Sequence, residues 1–457
     1  VAWQFIEARE LSVHSRTLEV APGDLRPEAT APHRIRFTAM DPSLVERLRS
    51  EMRYEFARTA PPEGFPAFPD IPIGRYTSDE FYDLERKHLW PNAWVLAGRT
   101  DDLPNPGDFL AFDRLNEPVI LVRGRDTLVR AFYNTCQHRG APVVREASGN
   151  ARQLRCQYHS WTYDITDGHL VHVPDERDFV GLDTTTRCLA TLRCEEWDGW
   201  LFVNQNHDAP ALAEWLAPIP QQLAELQGPT LRTVASRSEV VACNWKITAE
   251  AFLEVYHFRH IHQRNGVTAL DNRGATMGLL PNGASRMVSP FSTQACAGLG
   301  MTAWDDWQDL KTPGFDDIAT VNPMVRCTSS AYSIFPNLIT PIAAYGFPFI
   351  TFWPIDRRST LIVWTHYAPS DMPFDADNLP QHWNERLDRF DQIMAEDFWN
   401  MAPMQRSIES PAMRGVPINY QERRIWHFHE QLDRMIGIER IPAELRVPQL
   451  LARYVGD

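Results

Sequence analysis

Apolar residues recur along this chain with two different periods, and the switch between them divides it. Between residues 109 and 203 the apolar runs are short: Phe109-Leu110-Ala111-Phe112, Val119-Ile120-Leu121-Val122, Leu128-Val129-Arg130-Ala131-Phe132 and Gly199-Trp200-Leu201-Phe202-Val203. Glycine, proline and Asp/Asn punctuate them at short intervals, the pattern of a small all-β domain. Ahead of it, residues 1–60 mix small apolar groups with many charges and read as a peripheral, partly helical preamble. Pro61, Pro62, Pro66, Pro69 and Pro72 then predict an extended linker, because proline blocks helix propagation. Thr77-Ser78-Asp79-Glu80 followed by Phe81, Leu84, Glu85 and Leu89 predicts a capped amphipathic helix. It should stop near Trp90, since Pro91 follows.

Beyond Asn206 the pattern alternates. Helical stretches at 211–216 and 221–226 are separated by Pro218 and Pro220, and a strand runs into Val240-Val241-Ala242. Trp245, Ala249, Phe252 and Tyr256 then recur at steps of three and four, giving a helix one apolar face. Residues 264–328 are rich in Gly, Asn, Thr and Met with weak periodicity. So long a stretch is either disguised structure or a cover over a cavity. Strands return at 331–335, 347–352 and 360–366, and a helix from about Leu379 to Met401 should end before Pro403. No internal repeat or low-complexity tract interrupts this order. The expected division is 1–74 (preamble and linker), 75–206 (the β domain) and 207–457.

Composition narrows the function classes. A chain of 457 residues can hold two or three cores, on a prior of roughly 100–200 residues per domain. The hydrophobic share of 44% with 23% charged is that of a soluble globular protein. A formal charge of −14 argues against nucleic acid or an anionic membrane as partner, since both reward clustered cations. No apolar run approaches the ~18 residues of a membrane span. The opening Val-Ala-Trp-Gln-Phe lacks the features of a signal peptide. Seven unevenly spaced cysteines do not make a disulfide framework, so a reducing cytoplasm with metal-bound thiolates is the expectation.

Two groups of residues carry chemistry. The first is Cys136-Gln137-His138-Arg139-Gly140 with Cys156-Gln157-Tyr158-His159-Ser160-Trp161, seventeen residues separating His138 from Cys156. Two thiolates and two imidazoles can hold one tetrahedral zinc. They can also hold a [2Fe–2S] cluster in which two histidines replace two cysteines on one iron. Each pair here mixes Cys with His inside an all-β segment, which favours the cluster. The second group begins at Glu254, His257, His260 and His262. Closely spaced neutral imidazoles suit iron and zinc alike; the bland alternative is a core helix whose histidines bond to carbonyls. On an ideal helix His260 points closer to His257 than His262 does. In the late helix Asp397 lies on the apolar stripe of Phe390, Ile393, Met394, Phe398 and Met401. A buried carboxylate is costly unless it is paired or metal-bound, and Asp391 and Glu396 are the alternatives.

The first motif resembles the Rieske domain of the ring-hydroxylating oxygenase family, with Ser160 standing where that family often has glycine. The resemblance implies Cys136 and Cys156 on one iron and His138 and His159 on the other. Asn244-Trp245-Lys246 through His262 is similar to the family's mononuclear-iron helix, and Glu396-Asp397 with Gln405 to its third-ligand segment. That carries iron(II) ligation to His257, His262 and Asp397, with His260 the competitor of His262. It also gives Glu254, in place of a more usual aspartate, a bridging role between His257 and His159 of the next subunit. Ala251 stands where some relatives carry asparagine near the iron.

The implied fold is α+β: an all-β Rieske [2Fe–2S] domain plus a helix-grip catalytic domain with a curved antiparallel sheet. The implied enzyme is a terminal oxygenase using O2 on an apolar or aromatic small molecule, by cis-dihydroxylation or mono-oxygenation, demethylation and quaternary-amine oxidation included. A Rieske protein that only transfers electrons is the rival. Electrons from NADH or NADPH would come through a separate flavin reductase or ferredoxin, because no Gly-x-Gly-x-x-Gly fingerprint is present. A homotrimer is implied, with a small β subunit as a further possible partner. Arg123, Arg125, Arg130, Arg139, Arg145, Arg152 and Arg155 face only Asp126 and Glu146 in residues 121–155. They are either a docking face for an acidic electron donor or a solvated surface. Cys188, Cys194, Cys243, Cys296 and Cys327 are expected to be core thiols. Tyr332, Phe335, Tyr345, Phe347, Phe349, Phe352 and Trp353 fit an apolar guest or a sheet core equally well.

Overall fold

A computed structural model describes residues 40–114, 117–262, 269–312, 314–369 and 379–456. Residues 1–39 of the expected preamble lie outside the described residues. The remainder of the preamble forms helix α1 (Pro42–Ala57), opened by the Asp41 carboxylate accepting from Ser43 N at 2.8 Å. Leu44, Leu48 and Met52, four residues apart, are its buried face. The proline-rich stretch follows, with Phe68 stacked on Trp426 at 4.9 Å. Helix α2 (Asp79–Leu84) is capped as expected, Ser78 Oγ accepting from Phe81 N at 3.2 Å.

The β domain contains β1 (Val95–Arg99), β2 (Asp108–Arg114), β3 (Glu117–Arg123), β4 (Val129–Tyr133) and β5 (Ser148–Asn150). It continues with β6 (Leu154–Arg155), β7 (Thr162–Tyr163), β8 (Leu170–His172), β9 (Thr191–Trp197) and β10 (Trp200–Asn204). Among the described residues they make an antiparallel sheet in the order β1-β10-β9-β4-β3-β2-β5 and a small one, β6-β7-β8. Strand alternation gives β3 two buried faces: Ile120 and Val122 join the domain's own core with Phe109 and Phe132. Val119 and Leu121 join the main core with the residues of the second domain.

The second domain is built on β11 (Leu231–Val241), β12 (Thr276–Leu279), β13 (Ser285–Pro290), β14 (Thr328–Ile334), β15 (Leu338–Ile342), β16 (Phe347–Asp356) and β17 (Ser359–Pro369). They form one antiparallel sheet ordered β11-β17-β16-β15-β14-β13-β12. One face meets the β domain: Trp200 lies 4.7 Å from Phe349 and Phe112 5.6 Å from Trp353. The aromatic residues of β16 on that face are therefore interdomain core. The opposite face meets the helices, with Phe352 5.3 Å from Phe252 and His366 4.9 Å from Phe390. The architecture is the expected mixed α+β.

Two sequence expectations needed correction. The helix predicted from Trp245 to Tyr256 ends early, leaving α3 (Trp245–Glu250), a turn, and a second short helix, α4 (Phe258–Ile261). The late helix α5 (Gln381–Ile408) runs on past Pro403 instead of ending before it. Proline there forfeits one backbone hydrogen bond, but Gln405 keeps the following turn in place: its Oε1 accepts from Asn244 N at 2.8 Å and its Nε2 donates to Glu409 at 2.8 Å. In the aperiodic stretch, the described part holds β12, β13 and two short helices, so it is disguised structure. Helix α6 (Arg423–Ile436) is buried over most of its length.

Candidate metal centres

The break between α3 and α4 decides which residues meet. Five residues along an ideal helix would turn His257 and His262 to different sides. The intervening turn lets Glu254 close on its own backbone, its carboxylate accepting from Tyr256 N and from His257 N (3.2 Å) as well as bonding His257 Nδ1. His262 Nδ1 is held the same way by Glu396 Oε2 at 2.9 Å. With both Nδ1 atoms engaged, both Nε2 atoms face one oxygen, Asp397 Oδ1, at 3.6 Å from His257 and 3.5 Å from His262. Those three ligand atoms lie within 4.8 Å of one another, and among the described residues no other group of three does so. His260 is exposed and sits against Arg259. Asp391 is occupied elsewhere, accepting from Trp364 Nε1 at 2.8 Å.

This triad implies a mononuclear metal. His257 Nε2 is buried and has no hydrogen-bond partner among the described residues, an arrangement that costs free energy unless a metal or another group takes the lone pair. Burial pushes Asp397 up to about 6 against the pull of both imidazoles. At His257 burial works downward, but the hydrogen bond and charge of Glu254 and the charge of Asp397 outweigh it and leave the ring more basic than usual. Two imidazoles, one carboxylate and no thiolate suit iron(II) with open positions. Carboxylates behind the imidazoles fix their tautomer and raise their donor strength. Glu396, an alternative to Asp397 on sequence alone, is thus a partner of His262 instead; its place one residue before Asp397 is the only signal of that role in the sequence.

The first motif folds into two matching loops. Cys136 N donates to Ala141 O and Gly140 N to Cys136 O; Cys156 N donates to Trp161 O and Ser160 N to Cys156 O, all at 2.9 Å. The fourth residue after each cysteine has positive φ, 73° at Gly140 and 61° at Ser160. Serine therefore adopts the turn that glycine makes at its counterpart, and Arg155 holds its hydroxyl at 2.8 Å. Both cysteines are buried, whereas His159 is exposed and His138 half-buried, their rings 4.7 Å apart. Tyr163 reaches Cys136 Sγ at 3.2 Å and accepts from Gln137 N at 2.9 Å, a contact that only the fold reveals. Burial pushes the Cys136 thiol up, and burial with His159 and Arg139 pulls His138 down. The two cysteines lie beside each other and the two imidazoles beside each other, a pairing that suits a two-iron cluster with one pair on each iron. The other five cysteines are free thiols, half-buried or buried.

Two family profiles match in the order the two sites occur: "Rieske [2Fe-2S] domain" over residues 93–192 and "Ring hydroxylating alpha subunit (catalytic domain)" over residues 229–438. The chain belongs to the Rieske non-haem iron oxygenase alpha-subunit family. Within that family it is 32% identical over 200 residues to the chlorobenzene dioxygenase subunit alpha of a Cupriavidus species, a match covering 42% of this chain and 44% of the relative. It is 29% identical over 208 residues to the carnitine monooxygenase oxygenase subunit of Acinetobacter baumannii, covering 44% of this chain and 56% of the relative. The match thus spans about half the length of these curated relatives. In fold, the chain is similar to the quaternary ammonium Rieske monooxygenase CntA in complex with L-carnitine, with TM-score 0.66, 20% identity and coverage of 82% of this chain and 98% of that one. Naphthalene 1,2-dioxygenase from Rhodococcus sp. bound to indole gives TM-score 0.65 at 18% identity, covering 87% and 98%. Among the described residues no helix is long and apolar enough to cross a membrane.

Proposed function

We propose that this Rieske oxygenase is a terminal oxygenase that hydroxylates an apolar or aromatic small molecule with O2, electrons reaching it from NAD(P)H through a separate donor. The observation that carries the reading is the convergence of His257 Nε2 and His262 Nε2 on Asp397 Oδ1, with a carboxylate behind each imidazole. When bound, iron(II) supplies dioxygen activation and the [2Fe–2S] cluster on Cys136, His138, Cys156 and His159 supplies single electrons. His257, His262 and Asp397 would hold the metal through His257 Nε2, His262 Nε2 and Asp397 Oδ1. Glu254 and Glu396 orient the two rings and hold the proton on each Nδ1. Phe258, whose ring is 4.8 Å from His257 and 5.2 Å from His262, keeps water from the side it covers.

The substrate side rests on one row of the sheet. Met277 pairs with Met287 and Met287 with Ala331, and these three pack with Val255 and Phe258 beside the ligand histidines. Small and flexible apolar side chains there suit an apolar guest. The similarity to both an arene dioxygenase and a carnitine monooxygenase supports two products, cis-dihydroxylation or mono-oxygenation of a quaternary amine, from the same three-ligand site. The products separate them: a cis-dihydroxylated arene is heavier than its substrate by two oxygens and two hydrogens, whereas oxygenation beside a quaternary nitrogen breaks the C–N bond and releases a tertiary amine and an aldehyde that together hold one added oxygen. The division at residues 75–206 and 207–457, a homotrimer in which Glu254 reaches His159 of the next subunit, a small β subunit and a cytoplasmic setting belong to this proposal.

Asp397→Ala is expected to abolish substrate-dependent oxygen uptake while leaving the cluster's visible and EPR spectra intact. His262→Ala should do the same and His260→Ala should stay within about twofold of wild type. Oxygen uptake preserved in Asp397→Ala, or lost in His260→Ala, would reassign the ligand set.

A further inference from the structure

The seven arginines of residues 121–155 do not act together. Arg123 is spent on the carbonyls of Leu103, Thr127 and Thr100, Arg125 on Asp164 and the carbonyl of Arg152, and Arg130 on Asp126. Arg139, Arg145, Arg152 and Arg155 are exposed, with none of their guanidinium groups paired to a carboxylate among the described residues. Arg139 lies over the ring of Tyr158 at 5.8 Å, linking the tips of the two cluster loops. Arg152 and Arg155 line an open depression of about 550 Å³ whose other walls are Ala151, Gln153, Thr162 and His172. The nearby carboxylates are already engaged: Asp164 by Arg125 and Glu146 by Gln157 at 3.1 Å. No acidic residue lines the depression.

Its place in the fold gives it a use. β6 ends at Arg155 and β7 begins at Thr162, so two of its lining residues are the strand positions on either side of the loop that carries Cys156 and His159. Arg155 also donates to Ser160 Oγ inside that loop at 2.8 Å. A body seated in the depression is therefore separated from the cluster loop by a side chain or two. We propose that this face docks a small acidic electron-carrier protein, which surrenders its electron there; the inference rests on the function proposed above. Charge complementarity selects the occupant, because a cationic hollow on a chain of net charge −14 attracts an acidic protein locally while the rest of the surface repels it. Its small extent and lack of large apolar walls fit the weak, transient contacts of electron-transfer pairs. One electron passes per encounter: the carrier is oxidised by one, the cluster reduced by one, and no bond forms or breaks.

The test uses the full chain with its cluster loaded and an acidic [2Fe–2S] ferredoxin as probe, followed by binding and by stopped-flow reduction of the cluster. Wild type is expected to bind the ferredoxin at about 20 mM salt and to lose about tenfold or more in affinity by about 300 mM. R152E/R155E should lower affinity and the second-order reduction rate about tenfold at low salt and flatten the salt dependence. The milder R152Q/R155Q should fall between, and R86E, two residues beyond α2, should match wild type. Reduction by dithionite and the cluster's EPR spectrum should not change in the single variant R152E, which leaves the Arg155–Ser160 bond in place and should lower the ferredoxin reduction rate in the same direction. Absence of the cluster spectrum in wild type would overturn the proposed function itself. With the spectrum present, three results would overturn the docking surface alone: no ferredoxin binding by wild type, unchanged affinity in R152E/R155E, or a change of oligomeric state in that variant, which would assign the face to a second copy of this chain.

Discussion

Ser160 shows how much a single position can reveal about a loop. Its φ of 61° is one that side chains rarely adopt, while the matching Gly140 sits at 73° at no cost. A left-handed residue other than glycine costs about 1–2 kcal/mol, partly offset here by the bond from Arg155. Ser160→Gly is therefore expected to leave cluster retention unchanged or slightly improved, and Ser160→Val to lower the temperature at which the cluster's absorbance is lost. Equal loss temperatures for the two variants would show that the loop does not depend on that angle. Glu250 is a second such position. It is buried with Tyr76 OH donating at 3.0 Å and His429 Nε2 at 2.8 Å, and burial, opposed by Tyr76, Lys246 and Arg75, pushes its carboxyl up to about 8. Its folded pKa exceeds the unfolded value, so the folded protein binds the extra proton between the two. The stability it contributes is whole below the ordinary carboxylate range and is lost as pH rises through about 8. Glu250→Gln keeps the acceptor and removes the titration. Melting temperatures across pH 6 to 9 should then decline more steeply for wild type than for Glu250→Gln; parallel curves would place the titration elsewhere.

At the scale of elements, the informative events are a helix that stops early and one that continues. α3 ends at Glu250 although Phe252 and Tyr256 continue its apolar period, because Glu254 bonds the backbone of Tyr256 and His257 and diverts the chain. Side-chain competition of this kind is a local chemical event that hydrophobic periodicity does not register, which is why the sequence left His260 and His262 in contention. Strands were legible where an apolar run was unbroken, as in β3 and β17, and escaped notice where they were two or three residues long, as in β5 to β8. The cluster motif was legible because its four residues lie close in sequence; Glu396 and Tyr163, whose roles depend on tertiary approach, were not. The continuing helix can be tested directly. Pro403 is exposed inside α5, so replacing it touches no packed neighbour. Pro403→Ala should restore the missing backbone bond and raise stability by about 2 kcal/mol, the proline penalty less what proline withdraws from the unfolded chain. A melting temperature at or below that of wild type would mean the helix is already adapted to the proline.

Across the whole molecule, the segment ahead of the β domain binds the second domain at its most buried point. Glu85, at the end of the early helical segment, meets Lys246 at 2.6 Å and accepts from Trp245 Nε1 at 3.1 Å. Arg75 meets Asp433 at 2.6 Å and donates to His429 Nδ1 at 2.9 Å, and Tyr76 completes the set at Glu250. The side chains of both ion pairs are 0% exposed. Such pairs add little over an apolar replacement, but removing one partner leaves a buried charge alone at about 3–5 kcal/mol each. Residues 71–92 thus complete a charge arrangement that α3 and α6 cannot satisfy by themselves, and α3 leads directly into the metal ligands. A fragment of residues 207–457 would strand Lys246 and Asp433 together, a penalty comparable with the ~5–15 kcal/mol that holds a whole domain. It should fail to show a cooperative melt and should bind a hydrophobic dye, whereas a chain of residues 40–457 should melt cooperatively. Fusing residues 71–92 to the fragment through a flexible linker should recover part of the transition, which loss of the β-domain interface alone would not allow. A cooperative melt in the bare fragment would show that the second domain accommodates both charges without the segment, and would move the origin of its stability to the sheet.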